Sequence, residues 1–212
     1  FVFNPLPSFT VDDETIVCLN RAPIPIGVTS SEAEYTYTWE HKDLNGNLSP
    51  FPTSGPTIDI GVGGTYYVTA TTTDGTNCSR TLSIDVEESI IATITPNDIT
   101  VEDLTSDNNN TITIDPTNLG IGDYEYAIDD LTGPYQNDPF FEQVRPGIHT
   151  IYVRDKNGCG IAQIDVSVIG YKKFFTPNGD GIHDTWRILG IREDFQPNSK
   201  VYIFYRYGKL IK

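Results

Sequence analysis

Basic side chains are scarce in this chain: its 212 residues hold 14 Lys and Arg against 29 Asp and Glu, a formal net charge of −15. Nucleic acid and anionic membrane surfaces are bound through clustered Lys and Arg, so neither is the expected partner. No run of about 18 apolar residues occurs, which excludes a transmembrane helix, and no basic start leads into an apolar stretch as in a signal peptide. Histidine is limited to His41, His149 and His183, each without a Cys or Ser in a recognisable arrangement. There is no Gly-X-Ser-X-Gly elbow and no His-Glu-X-X-His helix. Two carboxylates across a cleft would serve a glycosidase, but small sandwiches supply no cleft. The reading is of a chain without enzymatic activity and without a cofactor.

Helical periodicity is also nearly absent. Thr, Val, Ile and Tyr dominate the apolar runs and alternate with period two, and Gly, Asn, Asp and Pro clusters interrupt them about every 8 to 12 residues, which predicts an all-β chain of immunoglobulin-like sandwiches. Tyr35, Tyr37 and Trp39 share one strand face, with Thr36 and Thr38 on the other. Ile58 and Ile60, then Tyr66 to Ala70, then Leu82, Ile84 and Val86 supply further strands. Phe1-Val2-Phe3 reads as the end strand of a preceding module and Asn4-Pro5-Leu6-Pro7 as the linker leaving it, so residues 1–9 come before a first sandwich over 10–89. A second sandwich over 90–169 takes in strands at Tyr124 to Asp129 and at Pro139-Phe140-Phe141. Asp107-Asn108-Asn109-Asn110 reads as a loop tip, because such side chains bond their own backbone. Asp129-Asp130 reads as solvated surface.

A repeat links the two modules. Gly64 to Ala70, the turn Asp74-Gly75-Thr76-Asn77, Cys78 and Ile84-Asp85-Val86 recur as Gly147 to Arg154, the turn Asp155-Lys156-Asn157-Gly158, Cys159 and Ile164-Asp165-Val166. Each copy predicts the closing hairpin of a sandwich. Cys18, Trp39 and Cys78 follow the order Cys, Trp, Cys of a stapled sandwich, which predicts a Cys18–Cys78 disulfide or, failing that, two separately buried thiols. Closing that loop of about 60 residues would stabilise the fold by about 4 kcal/mol. Cys159 is then a buried, unpaired small hydrophobe, and any bond from it to another cysteine would staple together modules that the boundaries above keep apart.

Charge changes sign near residue 170. Residues 1–89 carry 12 acidic and 3 basic side chains and residues 90–169 carry 13 and 3, whereas residues 170–212 carry 4 and 8. The final segment is thus expected to be a separate unit of net charge +4. It contains the run Phe174-Phe175-Thr176-Pro177-Asn178-Gly179-Asp180-Gly181-Ile182-His183-Asp184-Thr185-Trp186, then Pro197-Asn198-Ser199-Lys200-Val201 and Arg206-Tyr207-Gly208-Lys209-Leu210. These residues resemble the gliding-motility-associated C-terminal domain of Bacteroidetes surface proteins, the type B export signal of the type IX secretion system. His183 stands where that family usually has Asn, and Tyr205 where it usually has Asp or Asn. The family's domain continues through further strands, so residues 170–212 are read as its N-terminal part, a partial β-sandwich. Residues 90–169 also resemble the short sandwich repeats of very large gliding adhesins, and residues 10–89 resemble bacterial immunoglobulin-like or polycystic-kidney-disease-like modules.

The resemblance implies a secreted protein that crosses the periplasm to the cell surface and outer membrane, with an outer-membrane β-barrel shuttle protein and a large translocon barrel as partners. On that reading Phe174, Phe175, Pro177, Asn178, Gly179, Asp180, Gly181, Asp184, Trp186, Tyr202, Phe204, Arg206, Tyr207, Gly208 and Lys209 are the recognised residues. Alternation along Val201 to Arg206 predicts Val201, Ile203 and Tyr205 packed inward, with Tyr202, Phe204 and Arg206 facing the partner, and a turn at Tyr207-Gly208-Lys209. Aligned on an EF-hand loop, Asn178, Asp180, the Ile182 carbonyl and Asp184 occupy the third, fifth, seventh and ninth positions. Thr176 and Arg187 then fall at its first and twelfth, and without a bidentate acid a plain Asx and Gly turn is expected in place of a calcium site. Two functional classes remain: the stalk and export signal of a surface protein, or an adhesin whose sandwiches bind carbohydrate or protein through clustered exposed aromatics.

Overall fold

Alternating apolar and polar side chains commit a chain to strands with one buried face. A computed structural model describes residues 4–21, 23–104, 109–172, 174–198 and 200–211, and among them the chain is nearly all strand and turn. The expected end strand Phe1-Val2-Phe3 lies outside the described residues, as do Asp107 and Asn108. The chain divides into two compact units, the first made of residues 1–93, 119–124 and 154–162 and the second of residues 94–118, 125–153 and 163–212.

The first unit holds strands β1 (Phe9–Val11), β2 (Glu14–Cys18), β3 (Ile24–Ser31), β4 (Tyr35–Lys42), β5 (Leu48–Pro50), β6 (Thr57–Ile60), β7 (Gly64–Thr72) and β8 (Ser79–Ser89). One sheet has the order β1-β3-β6 and the other β2-β8-β7-β4-β5. All pairings are antiparallel except β2 with β8, which run parallel from Glu14 opposite Asp85 to Cys18 opposite Ser89. In immunoglobulin terms the sheets correspond to A-B-E and to G-F-C with an added edge at each side, which is the immunoglobulin-like sandwich. Tyr37 and Trp39 on β4 are buried while Thr36 and Thr38 are exposed, as the alternation predicts. The core gathers Phe9, Val17, Ile26, Ile58, Ile60, Tyr66, Val68, Ala70, Ile84 and Val86 around Trp39. Trp39 Nε1 donates to the Gly55 carbonyl at 2.8 Å, so the buried indole leaves no orphan polar atom.

The second unit repeats this plan with fewer strands. β9 (Ile99–Glu102), β10 (Asn110–Ile114) and β12 (Phe140–Val144) form one sheet in the order β12-β10-β9, and β11 (Tyr124–Ile128), β13 (Gly147–Asp155) and β14 (Ile161–Val168) form the other in the order β11-β13-β14. The chain therefore carries tandem β-sandwiches, and the repeat seen in the sequence is a repeat of architecture, with β7-β8 and β13-β14 in equivalent places. Ile112, Ile114, Tyr126, Phe141, Val144, Ile151, Val153, Val166 and Val168 are buried. Asn110, expected in a loop tip, is instead a buried strand residue whose Nδ2 donates to the Val144 carbonyl at 2.9 Å. The alternation of Ile112 and Ile114 carries the strand back through it.

Residues 170–211 add two short strands, β15 (Gly170–Tyr171) and β16 (Ile188–Leu189), paired antiparallel, and one bridge from Phe204 to Leu210. They do not stand as a compact unit of their own, since the second unit includes them with β14.

Candidate functional site

The run from Thr176 to Asp184 closes on itself through its own carboxylates. Asp184 accepts the backbone N–H groups of Gly179 and Gly181, both at 2.7 Å, one on each carboxylate oxygen. Asp180 Oδ1 accepts the Ile182 N–H at 2.7 Å and its Oδ2 accepts from Asn178 Nδ2 at 2.8 Å. The Thr176 N–H donates to the His183 carbonyl at 2.7 Å and seals the base of the loop. Backbone donors of Gly179 and Gly181 hold the Asp184 carboxyl below its ordinary value of 3.8, and the Ile182 N–H with Asn178 does the same for Asp180. Asn178, Asp180 and Asp184 therefore come together, with their oxygens turned onto backbone donors and the Asn178 side-chain amide inside the turn. Among the described residues no three His, Cys, Asp or Glu side chains group as a metal site. His183 sits at φ 58°, in the left-handed region that Asn, the usual family residue, visits most easily.

Along the same segment most aromatic side chains stand in solvent. Phe174, Phe175, Tyr202, Phe204 and Tyr207 are exposed, Tyr207 at 87 %. Trp186 is anchored by Nε1 donation to the Lys172 carbonyl at 3.0 Å, and its ring lies 6.1 Å from that of Tyr171. Further on, the Tyr205 N–H donates to the Lys209 carbonyl at 2.7 Å, the Gly208 N–H to the Tyr205 carbonyl at 2.8 Å and the Ile211 N–H to the Ile203 carbonyl at 2.7 Å. The turn at Tyr207-Gly208-Lys209 is thus formed, with Gly208 at φ 81° and the Arg206 guanidinium 5.4 Å from the Tyr207 ring centre. The expected inward packing of Val201, Ile203 and Tyr205 does not occur, for all three are exposed along with their neighbours. A two-stranded hairpin has no second layer to cover either face.

Sequence reasoning missed how the segment is held to the second sandwich. Ser167 Oγ donates to the Gly190 carbonyl at 2.6 Å and accepts from Gln196 Nε2 at 2.8 Å, and Arg192 reaches Asp165 at 3.4 Å while lying 4.9 Å from the Phe195 ring centre. These partners are 23 to 29 residues apart, and no local pattern joins them. Only Gly190, following two strand residues, carried a signal of its own.

The cysteine reading requires correction. Cys18 is bonded to Cys159, with Cα atoms 5.3 Å apart, and Cys78 is the free cysteine. Cys18 lies opposite Ser89 at the far end of β8, whereas Cys78 directly precedes Ser79, the first residue of that 11-residue strand. At 3.2–3.4 Å per residue they are roughly 35 Å apart, and a disulfide needs Cα atoms within about 7 Å. Trp39 sits on the expected strand, but β3 in the other sheet and β7 beside it in its own sheet supply Ile26 and Val68 to the core around it. The bond lies inside the first compact unit, which takes in the β13–β14 turn. Around it, Asn20 Nδ2 donates to the Cys159 carbonyl at 3.1 Å and Asn20 Oδ1 accepts the Ile91 N–H at 3.2 Å. Asp155, 1 % exposed, accepts from Ser89 Oγ at 2.8 Å and from the Cys159 N–H at 2.9 Å.

Strand order and core define a protein of tandem immunoglobulin-like sandwiches followed by a short segment that displays aromatic side chains. Residues 169–211 match the family model of the CHU_C type IX secretion signal domain. The chain carries that signal, as the residues from Phe174 to Leu210 suggested, and is one exported through the type IX system to the cell surface. Among solved structures, the Dpr11 IG1 complex with DIP-gamma IG+IG2 is 10% identical over 78% of this chain and 99% of that one, with a TM-score of 0.43. Murine CEACAM1b is 9% identical over 77% of this chain and 100% of its own, with a TM-score of 0.42. The fibronectin(III)-like modules of Clostridium thermocellum CbhA are 14% identical over 78% and 95%, with a TM-score of 0.32. No curated protein matches the chain. Among the described residues no helix is long and apolar enough to cross a membrane.

Proposed function

We propose that the sandwiches are the stalk of a surface protein and that residues 171–212 are the surface read by the export machinery, an outer-membrane β-barrel shuttle protein and the large translocon barrel. The observation that supports this reading most is the distribution of exposed aromatics. Of the described aromatic side chains that are largely exposed, Tyr171, Phe174, Phe175, Trp186, Tyr202, Phe204, Tyr205 and Tyr207 belong to the signal segment, and Phe140 alone to a sandwich. Exposed aromatics beside Arg and Lys suit recognition by another protein, while Tyr37, Tyr66 and Tyr126 of the sandwiches are buried in the cores. The competing reading, an adhesive face on the sandwiches, has less support, since among the described residues no sandwich tyrosine or tryptophan is largely exposed. The proposed role needs no catalysis: the sandwiches act as spacers and the turn presents its side chains.

Deleting residues 171 onward from the full-length protein should trap it inside the cell, and replacing Asn178 to Asp184 by a Gly-Ser stretch should slow its export. Cell fractionation with surface proteolysis reads both. Normal surface arrival of the deleted protein would remove the recognition role and leave the stalk.

A further inference from the structure

The β15–β16 ladder brings two cations side by side. Gly170 lies opposite Leu189 and Tyr171 opposite Ile188, so the next residues in that register are Lys172 and Arg187. Like charges directly across a ladder repel, and both side chains line one cavity of about 450 Å³ together with His183, Asp184 and Leu189. Among the described residues neither cation has a carboxylate partner, whereas Arg192, further along the segment, pairs with Asp165 and Asp194. Asp184 pairs with neither, its two oxygens being turned onto the Gly179 and Gly181 N–H groups. Lys172 Nζ donates to His183 Nδ1 at 3.1 Å and Arg187 Nε to Thr185 Oγ1 at 3.2 Å.

We propose that this cavity takes one carboxylate of the export partner, an Asp or Glu side chain on the protein that reads the segment, held between Lys172 and Arg187. The proposal rests on the recognition role given to residues 171–212. A cavity of this volume has room for a side chain and is larger than a bare ion requires. A Lys ammonium carries donors alone, so His183 Nδ1 accepts in their bond and the ring adds no charge. Two cations beside one Asp184 therefore leave a single positive charge, which one carboxylate balances and a phosphate dianion overshoots. The planar guanidinium fork matches the two oxygens of a carboxylate, and the half-buried Leu189 offers an apolar wall to the methylenes behind it.

The test is an NMR titration of the chain at low ionic strength with glutamate capped at both ends, with capped glutamine and with inorganic phosphate. Capped glutamate should shift the Thr185 and Arg187 amides saturably, and Lys172→Gln and Arg187→Gln should each weaken it about tenfold or more. Lys200→Gln, which removes the same charge elsewhere in the segment, should leave it unchanged, and the Gly179 and Gly181 amide shifts report that the turn stays closed in each variant. Capped glutamine binding as well as capped glutamate, phosphate binding more tightly, or Lys200→Gln weakening the complex as much as Arg187→Gln overturns the proposal. In the full-length protein, Lys172→Gln combined with Arg187→Gln should slow export. Normal export of that variant, where deletion from residue 171 blocks it, overturns the carboxylate site alone; normal export of the deleted protein overturns the recognition role beneath it.

Discussion

Gly190 shows how much can rest on one backbone angle. It holds φ 81°, and a Cβ there would strike the carbonyl of Val168, at the residue whose carbonyl binds Ser167 Oγ. Gly190→Ala should cost about 1–3 kcal/mol locally and free β16, which hydrogen exchange would report as lost protection at Ile188 and Leu189 with the sandwich strands unchanged. Asp184 acts in the opposite way, storing no strain but accepting two N–H groups. Because its folded carboxyl lies below 3.8, its contribution is present above that pH and is lost as the pH falls through the lowered folded value. The amide shifts of Gly179 and Gly181 should therefore titrate with a midpoint below 3.8; movement centred at or above 3.8 would contradict the two hydrogen bonds.

At the scale of elements, the β13–β14 turn is built around a buried carboxylate. Asp155→Ala leaves the Ser89 hydroxyl and the Cys159 N–H without their acceptor, and each unsatisfied buried group costs about 1–3 kcal/mol. Urea unfolding should show a loss in that range, and Asp155→Asn a smaller one. The disulfide beside it closes 141 residues, for which chain entropy gives about 5 kcal/mol. Cys18→Ser should lower the urea midpoint accordingly, whereas Cys78→Ser in this chain should leave it nearly unchanged. Equal effects of the two substitutions would count against the assigned pairing.

Across the whole molecule, burial and display are divided along the chain. The sandwiches put Tyr37, Trp39, Tyr66, Tyr126 and Phe141 inside, and the signal segment leaves its aromatics outside except the half-buried Phe195. The acidic charge lies with the first and the excess of cations with the second. Raising salt should weaken any complex of the segment with an acidic partner more than it changes sandwich stability, because exposed charges are screened and buried apolar contacts are not. An export complex insensitive to ionic strength would assign recognition to the aromatics alone.

The period-two alternation, the Gly and Asn turns and the repeated hairpin by themselves determined the strands, the sandwich class and the doubling of the architecture, since side-chain direction in a strand is a local property. The Pro-Asn-Gly-Asp-Gly run likewise announced a self-closing turn, its donors and acceptors lying within a few residues. Only the tertiary structure decided which cysteines met. Cys18 ends β2, Cys78 directly precedes β8 and Cys159 lies in the β13–β14 turn, and pairing depends on which of these the sheets bring together over 60 to 141 residues, a distance at which spacing along the chain carries no geometry. The same holds for Ser167, Gly190, Arg192 and Gln196, and for the hairpin at Val201 to Ile211: alternation can mark two faces, but a face is buried only where another layer exists to cover it.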